Sequence, residues 1–399
     1  MTLAIAAVCY GCIYFLAPLI SVFYNMPLLV SPLRVLGLNL FPLAFNSVQL
    51  AKASRMMDFR KVFVSSVGGL ITSGLVGILV AYMGGGLWAL VLQNLINVTV
   101  SSVILSVIIR WRPRWICNWT RIRVLFSYGW KLMVSLLMIT LYDNIYSIVI
   151  GKKYEGTTLG YYDRGTLFPR SIVNSINLMT ESVMLSAMSK IQDDTEAVKT
   201  MMRKSMMMAA YLVFPVMVGM AAVAESLIVV LLTEKWLLSV PYMKLFCIAC
   251  AIDPVHNCNL QAFNAIGRSD VYLKLEIVKK ICFAILLFVV CVFFDSPLAI
   301  AAIAIFNAVI CWIINVIPNK KLLRYSLADQ VRDLLPPVLM TALMGMAVAA
   351  VGRMDASPLM TLVCQIPVGI LIYVLLSVIF RPYPYRMVME IVADRLRKQ

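Results

Sequence analysis

Charged side chains are scarce in this 399-residue sequence. Only 14% of its residues are Asp, Glu, Lys or Arg, whereas a soluble domain carries about 25%. There is a single histidine, and 62% of the residues are hydrophobic. A folded core cannot hide this much apolar surface from water. The composition therefore excludes an ordinary soluble domain and predicts a chain surrounded by lipid.

Patterns typical of catalytic and metal sites are also missing. The sequence has no glycine-rich phosphate loop and no zinc-ligand spacing, and the longest predicted outer loop, 151–165, is too short to hold an active site. The ten cysteines lie mostly in apolar runs, where they behave as small hydrophobic residues. Cys247 and Cys250 form a CxxC pair without a second ligand pair. We therefore predict no enzyme activity, no cofactor and no metal site.

Twelve apolar stretches are long enough to cross a bilayer as helices, which takes about 20 residues. They predict an all-α polytopic membrane protein with spans at 2–22, 32–53, 62–83, 87–109, 124–150, 166–189, 201–223, 240–265, 271–294, 297–316, 334–351 and 358–380. A shorter apolar stretch, 225–232, predicts an interfacial or re-entrant piece. The end of the chain, 384–399, predicts an amphipathic helix on the cytoplasmic membrane surface.

Basic residues occur mainly in loops that share one side of the membrane when twelve spans alternate. The loop between the fourth and fifth spans and its flanks hold five of them: Arg110, Arg112, Arg114, Arg121 and Arg123. Cytoplasmic loops carry such an excess of Lys and Arg. We therefore predict an inner-membrane protein with both termini in the cytoplasm. The same rule accounts for the net charge of +16 without a nucleic-acid partner.

An internal repeat suggests how the spans are grouped. Three residues of the second span recur in the eighth at one constant offset: Pro42, Gln49 and Ala53 correspond to Pro254, Gln261 and Ala265. Two spans joined by a tiny outer turn follow in both places, so the repeat is parallel, about an axis along the membrane normal. We predict a first lobe at 1–110 with four spans, a second lobe at 124–317 with six, two additional helices at 330–380 and the tail at 384–399.

Polar side chains concentrate in four spans, which indicates that these helices line a wet cavity. In the sixth span Arg170, Asn174, Asn177 and Glu181 are four, three and four residues apart, so they share one helical face. The other predicted cavity residues are Arg34, Asn46, Gln49, Lys52, Lys131, Asp143, Asn144, Asp253, His256 and Gln261. For any single amide the alternative is a hydrogen bond between helices. For His256, a proton relay and an ordinary buried imidazole both stay open.

Two local features of the spans carry further expectations. Lys279 and Lys280 have no polar face around them, so we expect them to extend along the helix toward polar surroundings. Pro42 and Pro254 occupy matching positions in the repeat and are expected to bend the second and eighth spans at similar depths.

Several short motifs occur from the fifth to the eighth span. They include Tyr128-Gly129-Trp130-Lys131, Leu159-Gly160-Tyr161-Tyr162-Asp163-Arg164, Ser189-Lys190-Ile191-Gln192-Asp193-Asp194 and Asn264-Ala265-Ile266-Gly267-Arg268. In these motifs the chain resembles the polysaccharide repeat-unit flippases, the Wzx-type translocases of the multidrug/oligosaccharidyl-lipid/polysaccharide superfamily. The resemblance runs from the end of the first span to the end of the last.

This resemblance implies two lobes and two extra helices around a basic central cavity. It implies alternating-access transport of an undecaprenyl-diphosphate-linked oligosaccharide for O-antigen, capsule or exopolysaccharide synthesis. The implied partners are that lipid-linked oligosaccharide, membrane lipids, and a polysaccharide polymerase with other assembly proteins; coupling to H⁺ or Na⁺ is left open. The alternatives are a cation-coupled multidrug exporter of the same superfamily and a non-transporting membrane component of polysaccharide assembly.

The number of spans departs from the family pattern. Members usually have fourteen helices, and the fifth and sixth spans have no counterpart in the predicted first lobe. We therefore expect the native protein to carry roughly 80 further residues at its amino end, forming two helices that each cross about 30 Å of hydrocarbon.

Overall fold

The computed structural model describes residues 2–109, 119–188, 191, 194–266, 268–354 and 356–397, and every regular element in these ranges is helical. The chain divides into two compact units, Met1–Asp143 and Asn144–Gln399. The predicted lobe boundaries stay predictions.

The first unit contains six α-helices and a short 3₁₀ turn in its described part. The turn is Pro27–Leu29, and the helices are α1 (Thr2–Phe23), α2 (Val30–Gly37), α3 (Leu40–Arg55), α4 (Phe59–Tyr82), α5 (Leu87–Ile109) and α6 (Trp119–Asp143).

The second unit contains ten α-helices and one 3₁₀ segment in its described part. The 3₁₀ segment is Glu234–Ser239. The helices are α7 (Ile145–Lys153), α8 (Gly156–Met188), α9 (Thr195–Ala222), α10 (Ala224–Leu232), α11 (Val240–Ala265), α12 (Ser269–Phe293), α13 (Pro297–Leu322), α14 (Leu327–Val351), α15 (Pro358–Phe380) and α16 (Tyr383–Arg397).

Each of the twelve predicted spans coincides with a long helix or a broken one. Within the described residues, nine helices are long and apolar enough to cross a membrane, and a tenth is added if Leu132–Asp143 and Ile145–Lys153 count as one broken span. α8 and α12, with 33 and 25 residues, are also long enough to cross a membrane but are not among these nine. The predicted all-α, multi-pass membrane fold is confirmed. The short piece predicted at 225–232 is the short helix α10.

The two repeat-related prolines have different surroundings. The second span is interrupted between α2 and α3, with Pro42 in the first turn of α3, where a missing N–H is tolerated. Pro254 lies inside the uninterrupted helix α11. The break in the second span therefore has no counterpart in the eighth.

Helix ends in the second unit follow local capping chemistry. The Asp194 side chain accepts hydrogen bonds of 3.0 Å from the backbone N–H groups of Glu196 and Ala197 and so begins α9. Ser326 and Asp329 form a reciprocal capping box that begins α14. Each such cap stabilises a helix start by about 1 kcal/mol. The two caps therefore determine the residues at which α9 and α14 begin.

Small residues allow α4 to lie close against α5. Ser65, Gly69, Ser73 and Gly77 recur every four residues and are all buried, so they form one stripe along the helix. A Cβ placed on Gly69 would stand 2.8 Å from the carbonyl oxygen of Asn97. Close backbone approach through small residues is how helices associate in lipid, where little hydrophobic driving force acts between them.

We therefore expect Gly69→Ala to lower the free energy of unfolding by about 1–3 kcal/mol, the usual cost of overpacking. The matched control is Gly74→Ala on the same helix, because a Cβ there meets nothing within 4 Å. Thermal melts of both detergent-solubilised variants provide the measurement. Equal melting temperatures for the two would contradict the close α4–α5 contact.

In the second unit α11 is the central helix and packs against α8, α9 and α13. Methionines fill much of the space between α8 and α9: Met184, Met188, Met202 and Met206 are buried. The unbranched, polarisable Met side chain adapts to irregular gaps. This packing holds α8, which carries the predicted polar face, beside α11.

Candidate substrate site

In the first unit the predicted cavity residues have separate environments. The Arg34 guanidinium lies 3.9 Å above the ring of Tyr14, a cation–π contact that ties α2 to α1. Gln49 is fully buried, and its Nε2 donates to Ser106 Oγ at 2.6 Å, so it joins α3 to α5. Asn46 has a buried side-chain oxygen with no hydrogen-bond partner among the described residues. Lys52 is exposed.

Asp143 and Asn144 are both exposed and lie at the break between α6 and α7. Asn144 is the residue that precedes α7. The side chains of Lys131 and Glu181 lie outside the described residues.

The polar face of α8 is continuous because α8 runs unbroken from Gly156 to Met188. Arg170 is half-buried, Asn174 is exposed, and Asn177 is half-buried with a side-chain oxygen that has no hydrogen-bond partner among the described residues. With 3.6 residues per turn these three side chains project from one side of the helix. The structure thus places these three predicted residues along one face of α8.

Aromatic residues hold Arg170 in place. Its Nη2 donates to the Tyr162 hydroxyl at 3.2 Å, and its guanidinium carbon lies 4.8 Å from the ring centre of Phe246 on α11. Tyr162 is itself fully buried, with its ring packed edge-on against Tyr242 and Phe246. Among the described residues no carboxylate oxygen lies within 4.0 Å of Arg170. The arginine is thus positioned by neutral groups and keeps its charge available.

α11 contributes the predicted Asp253, His256 and Gln261. Asp253 Oδ1 and His256 Nε2 are 3.4 Å apart, and the backbone oxygen of His256 accepts a hydrogen bond of 3.0 Å from Asn315 on α13. Gln261 is half-buried. Arg170 contacts the ring of Phe246, which is seven residues before Asp253 and so on the same face of α11. The structure therefore brings the α8 arginine and the α11 aspartate to the same region of the second unit.

An ion pair within α12 was not predicted. Lys279 is only 5% exposed and forms an ion pair with Glu276, one turn earlier on α12. Lys279 extends along its own helix to this carboxylate, so the premise that no polar group lies around it was wrong. The i, i+3 spacing of opposite charges was the signal that could have identified this pair.

A fully buried amide network joins α11, α13 and α14. Asn259 and Gln330 exchange two hydrogen bonds of 3.0 and 2.7 Å, and Asn319 donates to Asn259 Oδ1 at 2.6 Å. Trp312 donates to Gln330 Oε1 at 2.8 Å. Asn259, Asn319 and Gln330 are inaccessible to solvent. We assign this network to helix association rather than to ligand binding.

The membrane-spanning part of the second unit therefore contains charges of both signs. Glu276 compensates Lys279, and Asp253 lies beside His256, whereas the contacts of Arg170 among the described residues are with the Tyr162 hydroxyl and the Phe246 ring. A guanidinium offers paired N–H donors in the planar arrangement that suits phosphate. The chemistry available at this position is the binding of an anion, with Asn174 and Asn177 as amide donors and acceptors on the same helix face.

Comparison with known proteins agrees with this architecture. The model of the polysaccharide biosynthesis protein family matches residues 1–241. The teichuronic acid biosynthesis protein TuaB of Bacillus subtilis (strain 168) is 22% identical over 379 residues, which cover 93% of this chain and 78% of TuaB. The lipopolysaccharide biosynthesis protein WzxC of Escherichia coli (strain K12) is 21% identical over 278 residues, covering 68% of this chain and 56% of WzxC.

A solved structure shares the fold. The lipid II flippase MurJ in its inward closed conformation superposes with a TM-score of 0.76 at 12% sequence identity, covering 97% of this chain and 82% of that chain. The family match extends over more than half of the 399 residues and includes the polar face of α8 and Tyr162, which contacts Arg170. The chain is a multi-pass membrane protein and belongs to the polysaccharide biosynthesis protein family.

Proposed function

We propose that this protein is a transporter that moves an undecaprenyl-diphosphate-linked oligosaccharide repeat unit across the bacterial inner membrane, for O-antigen, capsule or exopolysaccharide synthesis. The observation that carries the proposal is Arg170, a guanidinium without a carboxylate partner among the described residues, on a helix of membrane-spanning length. The names of TuaB and WzxC, which refer to polysaccharide biosynthesis, and of MurJ, a lipid flippase, support the substrate class.

The physical obstacle to such transport is the charge of the diphosphate. Burying an unpaired anion in hydrocarbon costs many kcal/mol, so an unassisted lipid-linked sugar crosses very slowly. Arg170 would offset part of this cost by pairing with the diphosphate, and the amides of Asn174 and Asn177 would replace water around the sugars. The prenyl chain stays in lipid throughout. An inside-negative membrane potential favours outward movement of the anion by about 2.3 kcal/mol per charge per 100 mV.

Reconstitution into vesicles tests this function. A fluorescently labelled, undecaprenyl-diphosphate-linked oligosaccharide is incorporated into both leaflets, and a membrane-impermeant reagent quenches the outer label. We expect quenching beyond one half when the protein is present and about one half in protein-free vesicles. The alternative multidrug exporter would leave the lipid label half-protected and would instead move a cationic dye across the same vesicles; that outcome would refute the proposal.

The proposed orientation, with both termini in the cytoplasm, gives a separate prediction. In a variant without the native cysteines, an impermeant thiol reagent added to whole cells should label cysteines introduced at Glu155 and Asp355. It should leave those at Arg114 and Gln192 unlabelled until the membrane is opened, because the loop charges place these two positions inside. A single reversed position would require a different number of spans.

A further inference from the structure

A groove of about 430 Å³ runs along the second unit between α9, α14 and α15. Its walls include Val216, Val348 and Ile370. Gly219 and Gly369 also line it, and because glycine has no side chain they leave the groove open. Val216 and Ile370 are exposed, so the groove opens to the outside of the unit. Its mainly apolar lining suits a hydrocarbon chain and offers few hydrogen-bonding groups to a sugar.

At Tyr211 the groove meets a second cavity of similar volume, whose lining includes charged side chains. This basic cavity is lined by Arg203, Lys204, Arg332 and Asp333, among others. Asp333 accepts two hydrogen bonds from Arg203, so these two charges compensate each other. Lys204 and Arg332 have no carboxylate within 4.0 Å among the described residues. The cavity therefore carries two uncompensated positive charges.

Two tyrosines mark the boundary between the apolar groove and the basic cavity. The ring centres of Tyr211 and Tyr373 are 5.2 Å apart, and the Tyr373 hydroxyl donates to the Tyr211 backbone oxygen at 2.8 Å. The Tyr211 hydroxyl donates to Ser377 Oγ, also at 2.8 Å. These contacts join α9 to α15 at the point where the apolar groove meets the basic cavity.

The length of the groove limits what fits. It follows α9 from Tyr211 to Val223, which is about 18 Å at 1.5 Å per residue. One leaflet is half of a hydrocarbon core that is about 30 Å thick. The groove therefore accommodates one acyl chain of one leaflet, whereas a polyprenyl chain of many isoprene units would extend far beyond it.

We propose that the groove and the basic cavity together bind an anionic glycerophospholipid. Its phosphate contacts Lys204 and Arg332, and one acyl chain lies between α9, α14 and α15. Basic pockets between membrane helices select anionic headgroups in this way, and the apolar part of the groove fixes the chain direction. This site is separate from Arg170 and does not depend on the proposed transport function.

Photolabelling of the full chain in nanodiscs tests the site. The probe is phosphatidylglycerol with a diazirine on one acyl chain, and the readout is the labelled peptide identified by mass spectrometry. We expect label in α9 and α15 at the groove, and about tenfold less of it in the double variant Lys204→Gln, Arg332→Gln, because each basic group near the phosphate contributes to anionic-lipid binding. Gly219→Leu, which fills the groove, should reduce the same label.

The matched control is the double variant Lys320→Gln, Lys321→Gln, which removes two exposed positive charges at the end of α13 and should leave the label unchanged. Arg170→Ala should also leave it unchanged, which separates this site from transport. Three results would overturn the proposal: equal labelling by a phosphatidylethanolamine probe, loss of label in the α13 control, or displacement of the probe by undecaprenyl phosphate more readily than by unlabelled phosphatidylglycerol.

Discussion

Replacing Arg170 by alanine should abolish polymer export while the protein still inserts into the membrane. Losing the charged partner of a buried anion costs about 3 kcal/mol, which corresponds to a loss of roughly a hundredfold in rate. Arg170→Lys should retain part of the activity, because it keeps the charge and loses the paired N–H geometry. The measurement is exported polymer in a strain that lacks its own flippase, normalised to the amount of each variant in the membrane.

Arg164→Ala is the matched control for this experiment. Arg164 lies on the same helix as Arg170, but it is exposed and its guanidinium lies 5.6 Å from the ring centre of Trp236. The Arg164→Ala variant should export polymer at the level of the unchanged protein. Normal export by Arg170→Ala at normal membrane levels would show that this guanidinium does not bind the substrate.

The second large effect concerns stability. Asn259→Leu should lower the free energy of unfolding by about 2–4 kcal/mol, because it leaves two buried donors, Gln330 Nε2 and Asn319 Nδ2, without the acceptor they now share. Leucine has the same branching as asparagine but bulkier methyl groups, so overpacking of this fully buried position adds to the effect of the lost hydrogen bonds. Thermal melts in detergent provide the measurement, read as a lower melting temperature.

Asn174→Leu is the appropriate comparison, since it makes the same chemical change on an exposed face of α8. It should leave the melting temperature within experimental scatter. A combined Asn259→Leu, Gln330→Leu variant should not recover the loss, because two buried donors, Asn319 Nδ2 and Trp312 Nε1, then lack their acceptors. Equal melting for Asn259→Leu and Asn174→Leu would mean that the buried network contributes nothing to helix association.

Local properties of the chain were predictable from its residues. A spanning helix needs only a run of about 20 apolar residues, so all twelve predicted spans coincide with helices. The face shared by Arg170, Asn174 and Asn177 followed from helical periodicity alone, since α8 is unbroken across them. The caps at Asp194 and Ser326 likewise depend on residues only two or three positions away.

Contacts between helices distant in sequence were decided by tertiary structure. Gln49 and Lys52 are three residues apart on α3, yet Gln49 is fully buried against Ser106 and Lys52 is exposed. Periodicity places both on one side of the helix but cannot say which neighbour covers that side. An amide side chain that bonds to a neighbouring helix therefore cannot be told from one that lines a cavity by its position in the sequence. The two differ in the neighbour that the fold packs against them.

The role of each charge was decided in the same way. In the sequence Arg170 and Lys279 are both cations within predicted spans, and only Glu276, three residues before Lys279, indicates which of them is paired. In the structure Lys279 is compensated by Glu276, whereas Arg170 is held by Tyr162 and by Phe246, which is 76 positions away along the chain. The sequence by itself determined the helices, their polar faces and the family. Only tertiary packing decided which polar groups are satisfied internally and which remain available to a ligand, because that depends on neighbours brought together by the fold.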